Sequence, residues 1–151
     1  MAAGYVAVVG PGGATPAEEE GAEAVGRRLA ERGAVLVCGG LGGVMAAACR
    51  GALAAGGITV GLLPGPDRAA ANDWLTVAIP TGLGELRNGL VVRAADAVIA
   101  VGGGYGTLSE VALALKAEKP VIGLGGWDID GVQAAHSAEE AVERVLRPRR
   151  P

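Results

Sequence analysis

The stretch "AVIAVGGGYGTLSE", Ala97 to Glu110, decides how the rest of the chain is read. Five apolar residues form a strand with no side suited to water. Glycines 102, 103, 104 and 106 follow at once, and Thr107 then opens a helical pattern that runs to Lys116. A strand apolar on both faces belongs inside a parallel sheet covered from both sides, and parallel neighbours need crossover connections, usually helices.

The flanking sequence supplies that alternation. On the N-terminal side, Tyr5 to Gly10 reads as a strand, Ala17 to Arg32 as a helix, Ala34 to Cys38 as a strand and Val44 to Ala55 as a helix. Ile58 to Leu63 is a third strand, Leu75 to Ile79 a weaker one, and about Glu85 to Ala95 a helix feeding the opening stretch. Beyond it, Pro120 opens the strand Val121 to Leu124. A last helix starts at Ser137, where "SAEE" has the form of a capping box with Glu140. The expected fold is therefore α/β: a Rossmann-like three-layer arrangement with a mainly parallel central sheet and helices on both faces. The 151 residues form a single domain without a linker, and residues 146–151 read as a frayed tail.

Composition narrows the partners. Half of the residues are hydrophobic, and the net charge of −3, with basic residues spread along the chain, provides no continuous positive surface for nucleic acid. No apolar stretch reaches the roughly 18 residues that span a bilayer, and the N-terminus lacks a signal-peptide pattern, so a cytoplasmic protein without membrane contact is expected. Cys38 and Cys49 lie in apolar runs and His136 stands alone, so they make neither a disulfide framework nor a metal site.

Three glycine-rich loops follow strands: one holding Gly10, Gly12 and Gly13, one holding Gly39, Gly40 and Gly42, and one running Gly103, Gly104, Tyr105, Gly106, Thr107. In a parallel α/β sheet, such loops share the rim at the carboxyl ends of the strands, where ligands bind. Without Cβ atoms, backbone N–H groups approach an anion closely, and the following helix adds partial positive charge, so phosphate is the ligand chemistry that fits. Neither G-x-x-x-x-G-K nor G-x-G-x-x-G is completed. Glu110 stands between two readings. "TLSE" has the form of a capping box, in which Glu110 reaches back to the N-cap, yet the same carboxylate stands at the rim, where Arg87 would also project.

"ELRN" (Glu85 to Asn88), "ADAVIAV" (Ala95 to Val101) and "GGGYGTLSE" together resemble the paired motifs of the Lonely Guy type cytokinin-activating phosphoribohydrolases and their relatives, often labelled "possible lysine decarboxylase". The run Val35 to Gly65 is similar to the family's second-loop region, so the resemblance extends from Val6 to Leu124. It implies a Rossmann-like homodimer holding a nucleoside 5′-monophosphate, with the phosphate on the Gly103–Thr107 loop and with Arg87 and Glu110 matching the family's catalytic arginine and glutamate. Two positions depart from the hydrolases, which usually have Pro where Gly102 stands and Lys where Asn88 stands. The "RN" form and the short chain look closer to the branch that includes molybdenum cofactor carrier proteins.

Two functions follow, from different classes. The first is a carrier that holds a nucleotide or a pterin-like, molybdopterin-type ligand without needing a cofactor of its own. The second is hydrolysis of the N-glycosidic bond of a nucleoside monophosphate, with Glu110 stabilising oxocarbenium charge or activating water and Arg87 orienting the ligand. An interaction module with purely structural loops is a third, supported by the apparent cap at Thr107. Lysine decarboxylation is rejected, because a pyridoxal phosphate enzyme needs a lysine at the site and the chain has only Lys116 and Lys119, at the far end of the helix that starts at the glycine loop. That helix carries Leu108, Val111, Ala112, Leu113, Ala114 and Leu115, apolar on nearly every side, which calls for a second subunit as its outer cover.

Overall fold

Alternation of side-chain direction along each strand divides the buried residues into two sets, and these become two cores on opposite faces of one sheet. The computed structural model describes residues 4–148. Its strands are β1 (Tyr5–Val9), β2 (Val35–Cys38), β3 (Thr59–Leu63), β4 (Val77–Pro80), β5 (Ala97–Val101), β6 (Val121–Leu124) and β7 (Gln133–Ala134). All pairings are parallel, in the order β4-β3-β2-β1-β5-β6-β7. The chain thus winds outward from β1 to β4, returns to the centre at β5, and winds out the other way. The strand order reverses between β1 and β5, which places the crevice of a doubly wound sheet there.

Helices α1 (Pro16–Glu31), α2 (Val44–Ala54) and α5 (Ala138–Val145) cover one face, where Val25, Leu29, Ala48 and Val142 meet Val6, Val8, Leu36 and Ile99. Helices α3 (Arg87–Ala94) and α4 (Tyr105–Lys116) cover the other, where Val91, Val92, Val111 and Ala114 meet Ala7, Val9, Val98 and Ala100. Cys38 and Cys49 are free, buried thiols in the first core, their sulfurs 3.5 Å apart.

Several ends differ from the sequence reading. A complete capping box stands at Thr15 and Glu18, so α1 starts at Pro16, with Thr15 N–H donating to Glu18 Oε1 (2.9 Å) and Glu18 N–H to Thr15 Oγ1 (3.2 Å). At α5, Ser137 Oγ accepts from Glu140 N–H, but the Glu140 carboxylate accepts from His136 N–H instead of the cap, so only half of the expected box forms. A single 3-10 turn, Gly84–Leu86, precedes α3. The weak strand is the edge strand β4, and β7 adds a short strand on the opposite edge. Of the expected frayed tail, Leu146 still packs against the first core, and residues 149–151 lie outside the described residues.

The largest correction concerns α4. It begins at Tyr105, with Gly104 as N-cap and no side-chain cap. Thr107 is therefore the third residue inside the helix, and the capping box with Glu110 does not exist.

Candidate functional site

Three helices follow the three glycine loops, and their first turns are in different states. At α1 the capping box satisfies the N–H groups of Thr15 and Glu18 and places a carboxylate there. At α2 the first N–H, of Val44, donates to Pro11 O at 3.1 Å. At α4 nothing of the protein caps the turn, so the N–H groups of Tyr105, Gly106 and Thr107, which have no acceptor one turn back, are open at the rim. The anion chemistry expected of the loops thus remains open at the first turn of α4, while α2, also without a side-chain cap, has its first N–H engaged.

A cavity of about 300 Å³ opens in front of that turn. Gly10, Pro11 and Gly12 of the first loop line one wall, Met45 of α2 the floor, Arg87 and Asn88 of α3 a second wall, and Gly104 to Thr107 with Glu110 the third. Three charged or polar side chains here are buried: Thr107 is 2% exposed, Glu110 7% and Arg87 8%. Two of their polar atoms, Thr107 Oγ1 and Arg87 Nε, have no hydrogen-bond partner. A buried polar atom without a partner is costly, and two such atoms belong to residues that line this one cavity.

Arg87 is held from two sides. Its Nη2 donates to Gly39 O at 3.3 Å, and its Nη1 donates to Asn88 Oδ1. Asn88 Nδ2 donates in turn to Ser109 Oγ (3.2 Å), which donates to Gly106 O (2.7 Å), so a polar chain ties α3 to the first turn of α4. Burial pushes the Glu110 carboxyl up to about 7, against the opposing pull of the nearby Arg87 charge. Among the described residues, the two charges form no direct ion pair.

The remaining glycines of the expected cradle have other surroundings. A Cβ at Gly39 would lie 2.6 Å from Arg87 Nη2, so this glycine makes room for the guanidinium. Gly40 turns the second loop with φ +78°. A Cβ at Gly103 would stand 3.0 Å from the Trp127 indole, while Gly13 and Gly42 face open space. Gly13, Gly39, Gly40, Gly42 and Gly103 do not line the cavity. Met45 and Trp127 were not legible as neighbours of the site, since neither belongs to a loop with a chemical signature.

A model of the SLOG cluster4 family matches residues 3–150. The chain belongs to this family. The molybdenum cofactor binding protein of the phototrophic bacterium Rippkaea orientalis is 42% identical and superposes with a TM-score of 0.91 over 96% of each chain. The molybdenum cofactor carrier protein of Chlamydomonas reinhardtii is 35% identical, with a TM-score of 0.85, covering 95% of this chain and 96% of that one. An uncharacterised protein of Archaeoglobus fulgidus is 43% identical over 142 residues, 93% of either chain.

In this SLOG cluster4 chain, both departures from the hydrolase pattern have a physical basis. Gly102 has φ +69°, which proline, fixed near −65°, cannot adopt; a Cβ there would also fall 1.6 Å from Glu18 Oε2. Asn88 accepts from Arg87 and donates to Ser109, a double role that a lysine ammonium, with donors alone, cannot fill. Neither lysine is at the site: Lys119 Nζ donates to Val92 O at the end of α3, and Lys116 is the last residue of α4. No helix among the described residues is long and apolar enough to cross a membrane, and among them no group of three His, Cys, Asp or Glu residues could hold a metal ion.

Proposed function

We propose that this protein binds and carries a phosphate-bearing small ligand, a nucleotide or a pterin-type cofactor of the molybdopterin kind, in the cavity between α3 and α4. The observation that carries the reading is the uncapped first turn of α4, opening on a cavity lined by Arg87 and Thr107, two buried residues with polar atoms that lack partners. A phosphate supplies acceptors for the open N–H groups of that turn, gains from the helix dipole and brings negative charge beside the Arg87 guanidinium. Similarity to molybdenum cofactor binding and carrier proteins over nearly the whole chain supports carriage of a ligand of that class. The protein requires no cofactor of its own in this reading; the cofactor is cargo.

Thermal-shift screening tests it. Nucleoside monophosphates, a phosphorylated pterin and molybdopterin released from a molybdoenzyme are each added to the intact protein. A ligand at a hundred times its Kd stabilises by about 2.7 kcal/mol, which for a chain of this size raises Tm by several degrees. No shift with any phosphate ester, alongside a shift with unphosphorylated analogues, would overturn the reading.

Glycosidic hydrolysis is the second reading, and the corrected start of α4 favours it. Glu110 is released from the capping role and stands buried beside Arg87, with its pKa at about 7. A carboxyl in that range can exchange a proton with a leaving base or a water at neutral pH. Release of free base from AMP or GMP, abolished by Glu110→Gln, would establish hydrolysis; binding without release in the wild type leaves carriage.

A further inference from the structure

The chain has two Trp, two Tyr and no Phe. Two of these four rings stand side by side at the mouth of the site. Tyr105, the first residue of α4, lines the cavity and is 86% exposed. Trp127, in the loop after β6, has its ring centroid 6.2 Å from that of Tyr105, with the planes tilted by 34°. In contrast, Trp74 is packed against the first core with the Arg50 guanidinium over its ring. Scarce aromatic surface exposed beside a cavity signals use, because exposure forfeits the burial that is an aromatic's ordinary contribution.

The indole is placed by the backbone around it. Trp127 Nε1 donates to Gly104 O at 3.1 Å, the carbonyl of the residue that caps α4. Gly126 has φ +85°, and a Cβ there would fall 2.0 Å from Gly102 O, so the loops after β5 and β6 press backbone on backbone. Gly103 likewise leaves room for the indole edge. Three contacts thus fix Trp127 where it meets Tyr105. Tyr105 in turn carries one of the open N–H groups of the helix terminus, so its ring starts where a phosphate would sit.

We propose that Tyr105, backed by Trp127, is the platform on which the ligand's planar nitrogen heterocycle stacks, so that the site selects phosphate esters carrying a flat ring over those without one. The proposal rests on the phosphate-ligand reading above. A purine nucleotide and a phosphorylated pterin share this chemistry, and the probes separate them.

Calorimetry on the full chain compares AMP, a phosphorylated pterin and ribose 5-phosphate, which has the phosphate but no aromatic ring, for the wild type, Tyr105→Phe and Tyr105→Ala. The wild type prefers at least one ring-bearing ester over ribose 5-phosphate, and which one identifies the source of the ring. Tyr105→Ala weakens that ester about tenfold and leaves ribose 5-phosphate unchanged, whereas Tyr105→Phe keeps the preference, since stacking needs the ring and not the hydroxyl. Binding of the ring-bearing ester quenches tryptophan emission in the wild type and not in Trp127→Phe. Equal affinity of all three esters in the wild type, or a parallel loss of all three in Tyr105→Ala, overturns the platform while leaving phosphate binding in place. Failure of every ester overturns both readings. A change of mass in solution for Tyr105→Ala with its ligand preference intact would place this ring in a subunit contact and overturn the proposal as well.

Discussion

Glu110 is buried, faces the cavity and caps nothing, so its effect on the protein is governed by its proton. Its carboxyl titrates at about 7 in the folded chain, against an ordinary value of 4.5, because burial disfavours the charged form more than Arg87 favours it. Below the ordinary value both states hold the proton; as pH rises from there to about 7, the unfolded chain gives it up first, and stability falls. Glu110→Gln removes the titration, so it should nearly match the wild type near pH 4.5 and exceed it at pH 8 by about 3 kcal/mol. Urea denaturation at the two pH values measures this, and a variant less stable than the wild type at pH 8 would show that the ionised carboxylate has a favourable partner. The sequence supported two roles for Glu110 and could not choose, because the choice depends on where α4 starts. Next to that start, Trp127 Nε1 donates to Gly104 O and the backbone of Gly126 presses on that of Gly102, contacts that lie outside the local pattern of "GTLSE".

At the scale of elements, the strands and helices were legible because their signal is local: apolar runs of strand length, and helical faces closed by glycine. What the pattern left out is how closely helices meet. Gly26 of α1 and Gly51 of α2 lie inside their helices, and a Cβ at Gly26 would lie 1.9 Å from Ala48 O and one at Gly51 would lie 2.0 Å from Glu23 O. The two helices cross backbone to backbone at these glycines, and the N-terminal end of α2 that results carries Met45 into the site. Gly51→Ala should therefore destabilise by about 1–3 kcal/mol, although alanine is the better helix former. Thermal unfolding checks it, and a stabilised variant would mean that the crossing can open freely. Strand β7 escaped notice for a related reason. Its two residues carry no alternation of their own and pair only with β6, so the edge, not the sequence, makes it a strand.

The whole molecule presents one face that its own helices leave uncovered. Leu86 is 78% exposed, and Leu90 of α3 and Leu113 of α4 are exposed beside it, next to a groove of about 480 Å³ that runs along the two helices to Tyr105. Within one chain, helix α4 covers the sheet with Val111 and Ala114 and turns Leu113 outward, on the side for which its composition calls for an outer cover. A second copy packed on this face is the proposed cover. Light scattering should give at least twice the chain mass of 14.8 kDa, and Leu86→Asp with Leu113→Asp should return the protein to a monomer. A wild type that is monomeric at micromolar concentration would contradict it. The candidate site is likewise a property of the assembled fold, since loop one, α2, α3 and α4 each supply a wall. The Arg87 and Glu110 motifs were readable one at a time, but only the sheet order brings them to one cavity. In the proposed function, the open first turn of α4 receives a phosphate. Gly104→Val tests it most directly, because Gly104 has the extended backbone of any residue and a Cβ there meets only Pro11 Cβ, at 3.7 Å. Its branched side chain would stand in front of the N–H groups without disturbing the fold. Calorimetric titration with the best phosphate ester from the screen should show binding to the wild type and none to Gly104→Val at unchanged circular dichroism, whereas equal affinity for both proteins would contradict the account.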